Sequence, residues 1–226
     1  MFININKTVF IRFGSSDCPS DYRIGSVNIS RVESVKDLGI VIDHKLSFKN
    51  HSLNVVKKVS LLSNSVLRVF KFCEMRVKYF IFKTYILLIV LYNIEFYYPI
   101  SRIHKSCLEG LQRRFTKRIC PPGLDYEQRL SLLTGVSIGL NHQLLLLTYM
   151  YKIVFSNILI DGFSYDRFPS ITRGLSSKIR LPFSRTNIRK YFPLLRFVSL
   201  WNNLAPDHLK LTSVVAFKRF LMDSLH

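Results

Sequence analysis

Carboxylates that could hold metal ions are few in this chain and stand apart. Asp37 and Asp43 flank Leu38-Gly39, and a bend at the glycine could fold one towards the other. Nucleotidyl transfer needs convergent carboxylates around two metal ions a few ångströms apart. Neither aspartate has a second acidic neighbour to complete such a ligand set. The expectation is therefore a solvated Asp37 at the bend and an Asp43 that sets the turn into the next element. His44 and His51 would share a helix face only if that helix began early. Cys18, Cys73, Cys107 and Cys120 include no C-x-x-C pair, which gives neither a zinc site nor a disulfide framework and suits a reducing compartment. A Gly-rich phosphate loop, a nucleophile elbow and a Cys-His constellation are all missing from the sequence.

Basic side chains are the other chemistry on offer. With 33 Lys+Arg against 14 Asp+Glu the chain carries a net charge of +19 and a pI near 10.0. Such an excess excludes an ordinary enzyme of neutral metabolites and points to a polyanion, nucleic acid before an anionic membrane surface. Two clusters stand out: Lys57-Lys58, and Arg113-Arg114 with Lys117-Arg118. Both suit phosphate contacts, and both would also suit an ordinary solvated helix face. Trp201 reads as a core anchor rather than a stacking platform.

The elements that must carry these groups follow from periodicity. A hydrophobic fraction of 48% and an aromatic fraction of 13% provide a core and argue against disorder. Residues 1–14 alternate apolar and polar and predict a strand or strand pair ending at Gly14. Residues 22–29 predict a hairpin, and residues 32–42 a second one around Leu38-Gly39, together a small antiparallel sheet. From Ser47, a candidate helix cap, Val55, Val59, Leu62, Val66 and Val69 form an apolar seam on one helix, with Lys57, Lys58 and Arg68 outside it. Residues 75–91 predict a helix apolar nearly all round and hence buried. Ile103, Cys107, Leu111, Phe115 and Ile119 define a third helix, stopped by Pro121-Pro122-Gly123. On it Arg113 and Lys117 lie opposite the apolar stripe, with Arg114 on the flank. Asp125-x-x-Gln128 predicts a capping box for a short helix through Leu133, with Gly135 past its end. Ser137 can cap a longer helix to about Phe155, whose residues 144–147 must be core. Residues 157–182 lose all periodicity and predict a loop or linker, and two helices close the chain, over 192–201 and 214–225.

The apolar run 85–92 is too short for a membrane span, which needs about 20 residues, and Lys83 and Glu95 bracket it. A buried helix is the expectation and a membrane partner is not. Residues 1–7 have no long apolar region or small-residue cleavage site, so no signal peptide is expected.

Several of these segments, in this order, resemble the reverse transcriptases of non-LTR (LINE-type, jockey-like) retrotransposons from the end of the palm onwards. Asn4-Ile5-Asn6-Lys7-Thr8 resembles the strand after the catalytic hairpin. Residues 35–48 resemble the primer-grip hairpin and thumb entry, with Leu38 and Gly39 at its tip. Leu111-Gln112-Arg113-Arg114-Phe115 resembles a helix of that family, and Tyr126-Glu127-x-Arg129-Leu130 the short helix after it. Residues 172–174 and 184–192 resemble its basic linker, and Trp201-Asn202-Asn203-Leu204, with Phe217-Lys218, closes the pattern. Three features depart from it: no Pro-Leu lies near residues 91–96, Ala205 interrupts Trp-Asn-x-Leu-Pro, and the palm aspartates are missing.

The resemblance implies an α+β, mainly helical fold. Residues 1–46 would be a palm remnant with the primer-grip-like hairpin, 47–156 a helical thumb and extension, and 157–226 a basic linker with C-terminal helices. It implies a C-terminal fragment of an RNA-directed DNA polymerase with no catalytic residue and no enzyme activity of its own. Lys7 would match a lysine that lies near the triphosphate in related polymerases. The expected role is sequence-non-specific binding of template-primer through Lys57, Lys58, Arg113, Arg114, Lys117 and Arg118. The partners would be an RNA–DNA hybrid or single strand, and a catalytic half if one is encoded upstream. No cofactor is expected, Mg²⁺ belonging only to an intact parent polymerase, and the location would be intracellular. The rivals are an inactive structural remnant with no ligand and a membrane-associated basic protein.

Overall fold

Two hairpins dominate the N-terminal part of the chain. The computed structural model describes residues 3–14, 21–98, 101–155, 179, 183–190, 192–204 and 211–225. Strands β2 (Tyr22–Ile24) and β3 (Val27–Val32) pair antiparallel across Gly25, and β4 (Ser34–Asp37) and β5 (Ile40–Asp43) do so across Leu38-Gly39. Leu38 (φ 44°) and Gly39 (φ 87°) both take left-handed backbone, as a two-residue hairpin turn requires. Ahead of them β1 (Val9–Ile11) lies parallel to β3, so the strands form two small sheets rather than one. The strand expected across residues 1–14 is shortened by a 3₁₀ turn at Ile5–Lys7, where the Asn4 carbonyl accepts from the Lys7 amide and the Thr8 hydroxyl. The Thr8 side-chain bond to the Asn4 backbone competes here with strand pairing.

Asp43 joins sheet to helix. Its carboxylate accepts from the amides of Lys45 (3.0 Å), Ser47 (3.1 Å) and Phe48 (2.8 Å) and from the Ser47 hydroxyl (3.0 Å). Ser47 was the expected cap of helix α1 (Lys49–Val69), yet Phe48, with φ 52°, holds the cap position without a side-chain bond. Asp43 does set this turn.

The helices pack into two apolar clusters. The first joins α1, α2 (Met75–Ile81), a π-helical turn (Phe82–Ile86), α3 (Leu87–Leu91), α4 (Ile94–Tyr97) and α5 (Arg102–Ile119) around Val59, Phe82, Ile86, Val90, Leu108 and Phe115. The Tyr97 hydroxyl closes the α3–α4 corner by donating to the Val90 carbonyl. The second cluster joins α7 (Ile138–Phe155), α9 (Pro193–Asn202), which follows the short α8 (Asn187–Lys190), and α10 (Val214–Leu225) around Leu146, Phe197, Trp201 and Phe217. The α+β, mainly helical class is as expected, and Trp201 is a core anchor, 1% exposed.

Three burial expectations change. Val69, the last residue of α1, is 75% exposed. Residues 75–91 are buried on one side only. Tyr79, Phe82, Ile86, Leu87 and Val90 face the core, while Phe80, Tyr85 and Leu88 are exposed at 65%, 64% and 59%. The π-helical turn shifts the register between α2 and α3 so that buried positions stay on one side. No helix among the described residues is long and apolar enough to cross a membrane. Finally, Ile103 is 73% exposed. A strict four-residue repeat precesses about 40° per step on a helix of 3.6 residues per turn. The true stripe on α5 is Leu108, Leu111, Gln112, Phe115 and Thr116.

Local signals fare better. Asp125 caps α6 (Tyr126–Leu132) with a reciprocal capping box to Gln128, and the Ser137 hydroxyl accepts from the Leu140 amide at the start of α7. Residues 157–182, expected as a linker, lie outside the described residues apart from Ile179. That residue's amide and carbonyl are held by the Asn202 side chain at 2.9 and 2.8 Å.

Candidate nucleic-acid interface

Lys57, Leu61, Asn64 and Arg68 recur at four- and three-residue spacing and so share one stripe of α1, and all four are exposed. The stripe borders α5, because the Arg118 guanidinium donates to Asn64 Oδ1 at 2.6 Å. The Tyr97 ring meets His51, near the start of α1, edge-on at 4.5 Å. Tyr97, at the end of α4, thus lies beside the start of α1, and Arg118, near the end of α5, beside its later turns. Arg118 thereby reaches the outward stripe of α1, about 160° round that helix from buried Val55 and Val59, and Lys57 and Arg68 from α1 with Arg114 and Arg118 from α5 form one basic face across the two helices. Arg114 folds back along its own helix over Gly110, whose missing Cβ would sit 3.4 Å from the guanidinium. Lys58 is exposed about 100° round α1 from Lys57.

Arg113 lies about 140° round α5 from Arg118, and Lys117 falls between them, about 60° from Arg114. The Arg113 guanidinium stacks over the Tyr126 ring at 4.7 Å, facing α6. The cluster expected on this helix therefore spreads round it: Arg113 turns to α6, Arg114 and Arg118 lie on the side of the α1 stripe, and exposed Lys117 lies between. Arg68, read from sequence only as outward-facing, belongs to that face. Helix α1 contains no acidic residue, and α5 contains one, Glu109, which accepts from Tyr126 Oη at 2.8 Å and from the Gly139 amide at 3.1 Å. Cations without a neighbouring carboxylate attract phosphate rather than neutralising one another.

The hairpin tip lies against the same helical body. Tyr92 Oη donates to the Leu38 carbonyl at 3.1 Å, and a Cβ on Gly39 would sit 3.6 Å from the Tyr92 ring. Leu38 itself points outward, 81% exposed in left-handed backbone. A branched apolar residue rarely takes that conformation; the two-residue turn imposes it, and the exposed side chain gains little packing in return.

The aspartates do not converge. Asp43 pairs with Ser34 and Asp37 with Ile40, so they occupy opposite ends of the ladder, roughly 10 Å apart by strand rise. Burial raises the Asp43 pKa, but the bonds from Ser47, Phe48 and Lys45 outweigh it and hold the carboxyl below its usual range. Among the described residues no group of three His, Cys, Asp or Glu side chains is placed to hold a metal ion. His51 is buried, accepts at Nδ1 from the Val41 amide at 3.3 Å, and has its pKa lowered by desolvation.

Sequence reasoning missed Gln112. Fully buried, its amide nitrogen donates to Tyr79 Oη (3.1 Å) and the Val136 carbonyl (3.0 Å), while its oxygen lies 3.2 Å from Tyr126 Oη. One side chain thereby ties α2, α6 and the turn before α7 to the helix that carries Arg114 and Arg118. A glutamine one turn from both Leu108 and Thr116, between apolar neighbours, was the available signal. No protein-family model, curated protein or solved structure matches this chain.

Proposed function

We propose that this chain grips a nucleic-acid strand by its phosphates along the α1–α5 face, in the manner of a polymerase thumb. The observation that carries the reading is the basic face of Lys57, Arg68, Arg114 and Arg118 on two neighbouring helices, with no carboxylate of either helix turned to it. Phosphate contacts of this kind position a strand without reading its sequence. The resemblance to LINE-type reverse transcriptases supplies the substrate class, an RNA–DNA hybrid or single strand. The exposed Leu38 tip then corresponds to the primer-grip-like contact. In this reading the chain binds without polymerising. Free Cys73, Cys107 and Cys120 fit an intracellular setting.

Fluorescence anisotropy with labelled hybrids of unrelated sequence tests this. Replacing Lys57, Arg68, Arg114 and Arg118 together by Gln should weaken binding of every sequence by the same factor. A variant that binds like its parent, or that loses one sequence and keeps another, would defeat the reading.

A further inference from the structure

A second basic site lies away from the α1–α5 face, in a cleft of about 710 Å³ lined by residues of α5, α7 and α9 and of the stretch before α9. That volume falls within the range of small-molecule pockets. Its wall is built around His142 of α7, 6% exposed, with the Tyr98 ring stacked on the imidazole at 3.9 Å and the Lys105 ammonium 5.5 Å from the same Tyr98 ring. Arg196 of α9 completes the wall. Two of its nitrogens donate to the Glu95 and Tyr98 carbonyls at 2.8 and 3.3 Å, which fixes the guanidinium plane. Two polar atoms in this wall are buried with no hydrogen-bond partner, His142 Nε2 and Arg196 Nε. Buried donors are normally satisfied, so two orphaned nitrogens in one wall call for a partner, an ordered water or a ligand. Lys190 adds a third cation at the lining, and Phe183, 88% exposed, offers an aromatic face. The described lining contains no carboxylate. Glu109, whose charge reaches Tyr98, is held by Tyr126 and Gly139.

We infer that this cleft binds the phosphate of a nucleotide, between Lys105, Arg196 and His142, with the base stacked on Phe183. Lys105, exposed at the lining, supplies the charge that meets the phosphate first, and Arg196 and His142, each with an unsatisfied nitrogen just behind the wall, back it. The imidazole is held neutral, its pKa pulled down to about 3 by burial first and then by the neighbouring Arg196 and Lys105 charges. It therefore backs the site without adding a cation that the site would have to desolvate. The shared chemistry, a phosphate ester on a nucleoside, has two sources: a free nucleotide or the end of a strand.

Equilibrium dialysis in phosphate-free buffer tests the assignment with AMP, adenosine and inorganic phosphate. AMP should bind, inorganic phosphate more weakly and adenosine not measurably. Lys105→Glu, an exposed position that should leave folding intact, should weaken AMP at least about tenfold, as loss of a charge-assisted contact does. Phe183→Ala should weaken AMP about fivefold or more through lost stacking while leaving inorganic phosphate unchanged. A 5′-phosphorylated dinucleotide compared with AMP separates the sources, the tighter binder being the natural one. The Lys57/Arg118→Gln variant should bind AMP like the parent, so failure of the α1–α5 face and failure of the cleft are distinguishable. Equal retention of AMP and adenosine, no retention of AMP at millimolar concentration, or a Lys105→Glu variant that binds AMP normally would each overturn the inference.

Discussion

Gln112 and Gly135 act on each other through one tyrosine. A Cβ at residue 135 would sit 2.2 Å from Tyr79 Oη, the group that accepts from Gln112. Gly135→Ala should therefore cost about 1–3 kcal/mol, as overpacking in a dense core does. A chemical-denaturation midpoint equal to the parent's would show that the tyrosine moves freely. His142 makes a pH prediction. Its imidazole titrates at about 3 when folded and at 6.5 when free. Between those values the unfolded chain takes up a proton that the folded chain refuses. Stability contributed by neutral His142 is thus complete above pH 6.5 and is lost as pH falls towards 3. His142→Phe keeps a ring against Tyr98 and removes the titration, so the parent should lose more stability than the variant over that window in phosphate-free buffer. Parallel pH profiles for the two would place a solvated imidazole at 142. Tyr79 and Tyr126 follow the same burial logic in the opposite direction, each hydroxyl pushed above its ordinary range by desolvation.

Hairpin and helix predictions concern the elements that present the basic face. Leu38 holds left-handed backbone while exposed, so Leu38→Gly should stabilise the hairpin by about 1 kcal/mol. If the tip is a primer-grip-like contact, the same substitution should weaken template-primer binding, and thermal unfolding beside anisotropy separates the two effects. A variant that is more stable and binds equally well would remove Leu38 from the interface. The 75–91 element packs one side on α1 and α5. Alkaline carbonate should extract the chain from membranes, whereas a pelleted chain with Lys83 and Glu95 protected would favour the membrane rival. What was legible in sequence at this scale was local. The Asp125–Gln128 box, the Ser137 cap and the Leu38-Gly39 turn are each encoded within a few residues, and each is found as read. Asp43 as the anchor of α1 was legible as a turn, but its four bonds depend on a backbone path through Phe48. The π-helical turn at Phe82–Ile86 was not legible, because helical periodicity carries no mark of one inserted residue. The thin burial of residues 75–91 was missed because an apolar sequence does not state how many neighbours it will meet. The basic face was half legible: charge and helix gave the cations, but only the Arg118–Asn64 contact shows which of them lie on the side of α1.

At the scale of the whole molecule, a charge of +19 rests on a mainly helical body whose two apolar clusters share α7. Helix α7 continues from the Ile138 end, packed in the first cluster, to Leu147, Met150 and Tyr151 in the second. The grip reading predicts binding without chemistry: with primer-template, nucleotides and Mg²⁺ or Mn²⁺, the chain should extend nothing. Incorporation that Asp37→Ala abolishes would contradict that. The central claim, a phosphate grip on the α1–α5 face, is tested most directly by the salt dependence of binding. Each phosphate neutralised should steepen the fall of log affinity by about 0.7 to 0.9 per log unit of salt. Parent, Arg113→Gln and the variant with Lys57, Arg68, Arg114 and Arg118 all changed to Gln would be titrated against one RNA–DNA hybrid across a salt series. The account predicts a slope shallower by about 3 for the fourfold variant and nearly unchanged for Arg113→Gln, whose guanidinium is engaged with Tyr126. Equal slopes for the parent and the fourfold variant would mean that the α1–α5 face is an ordinary solvated one and holds no strand.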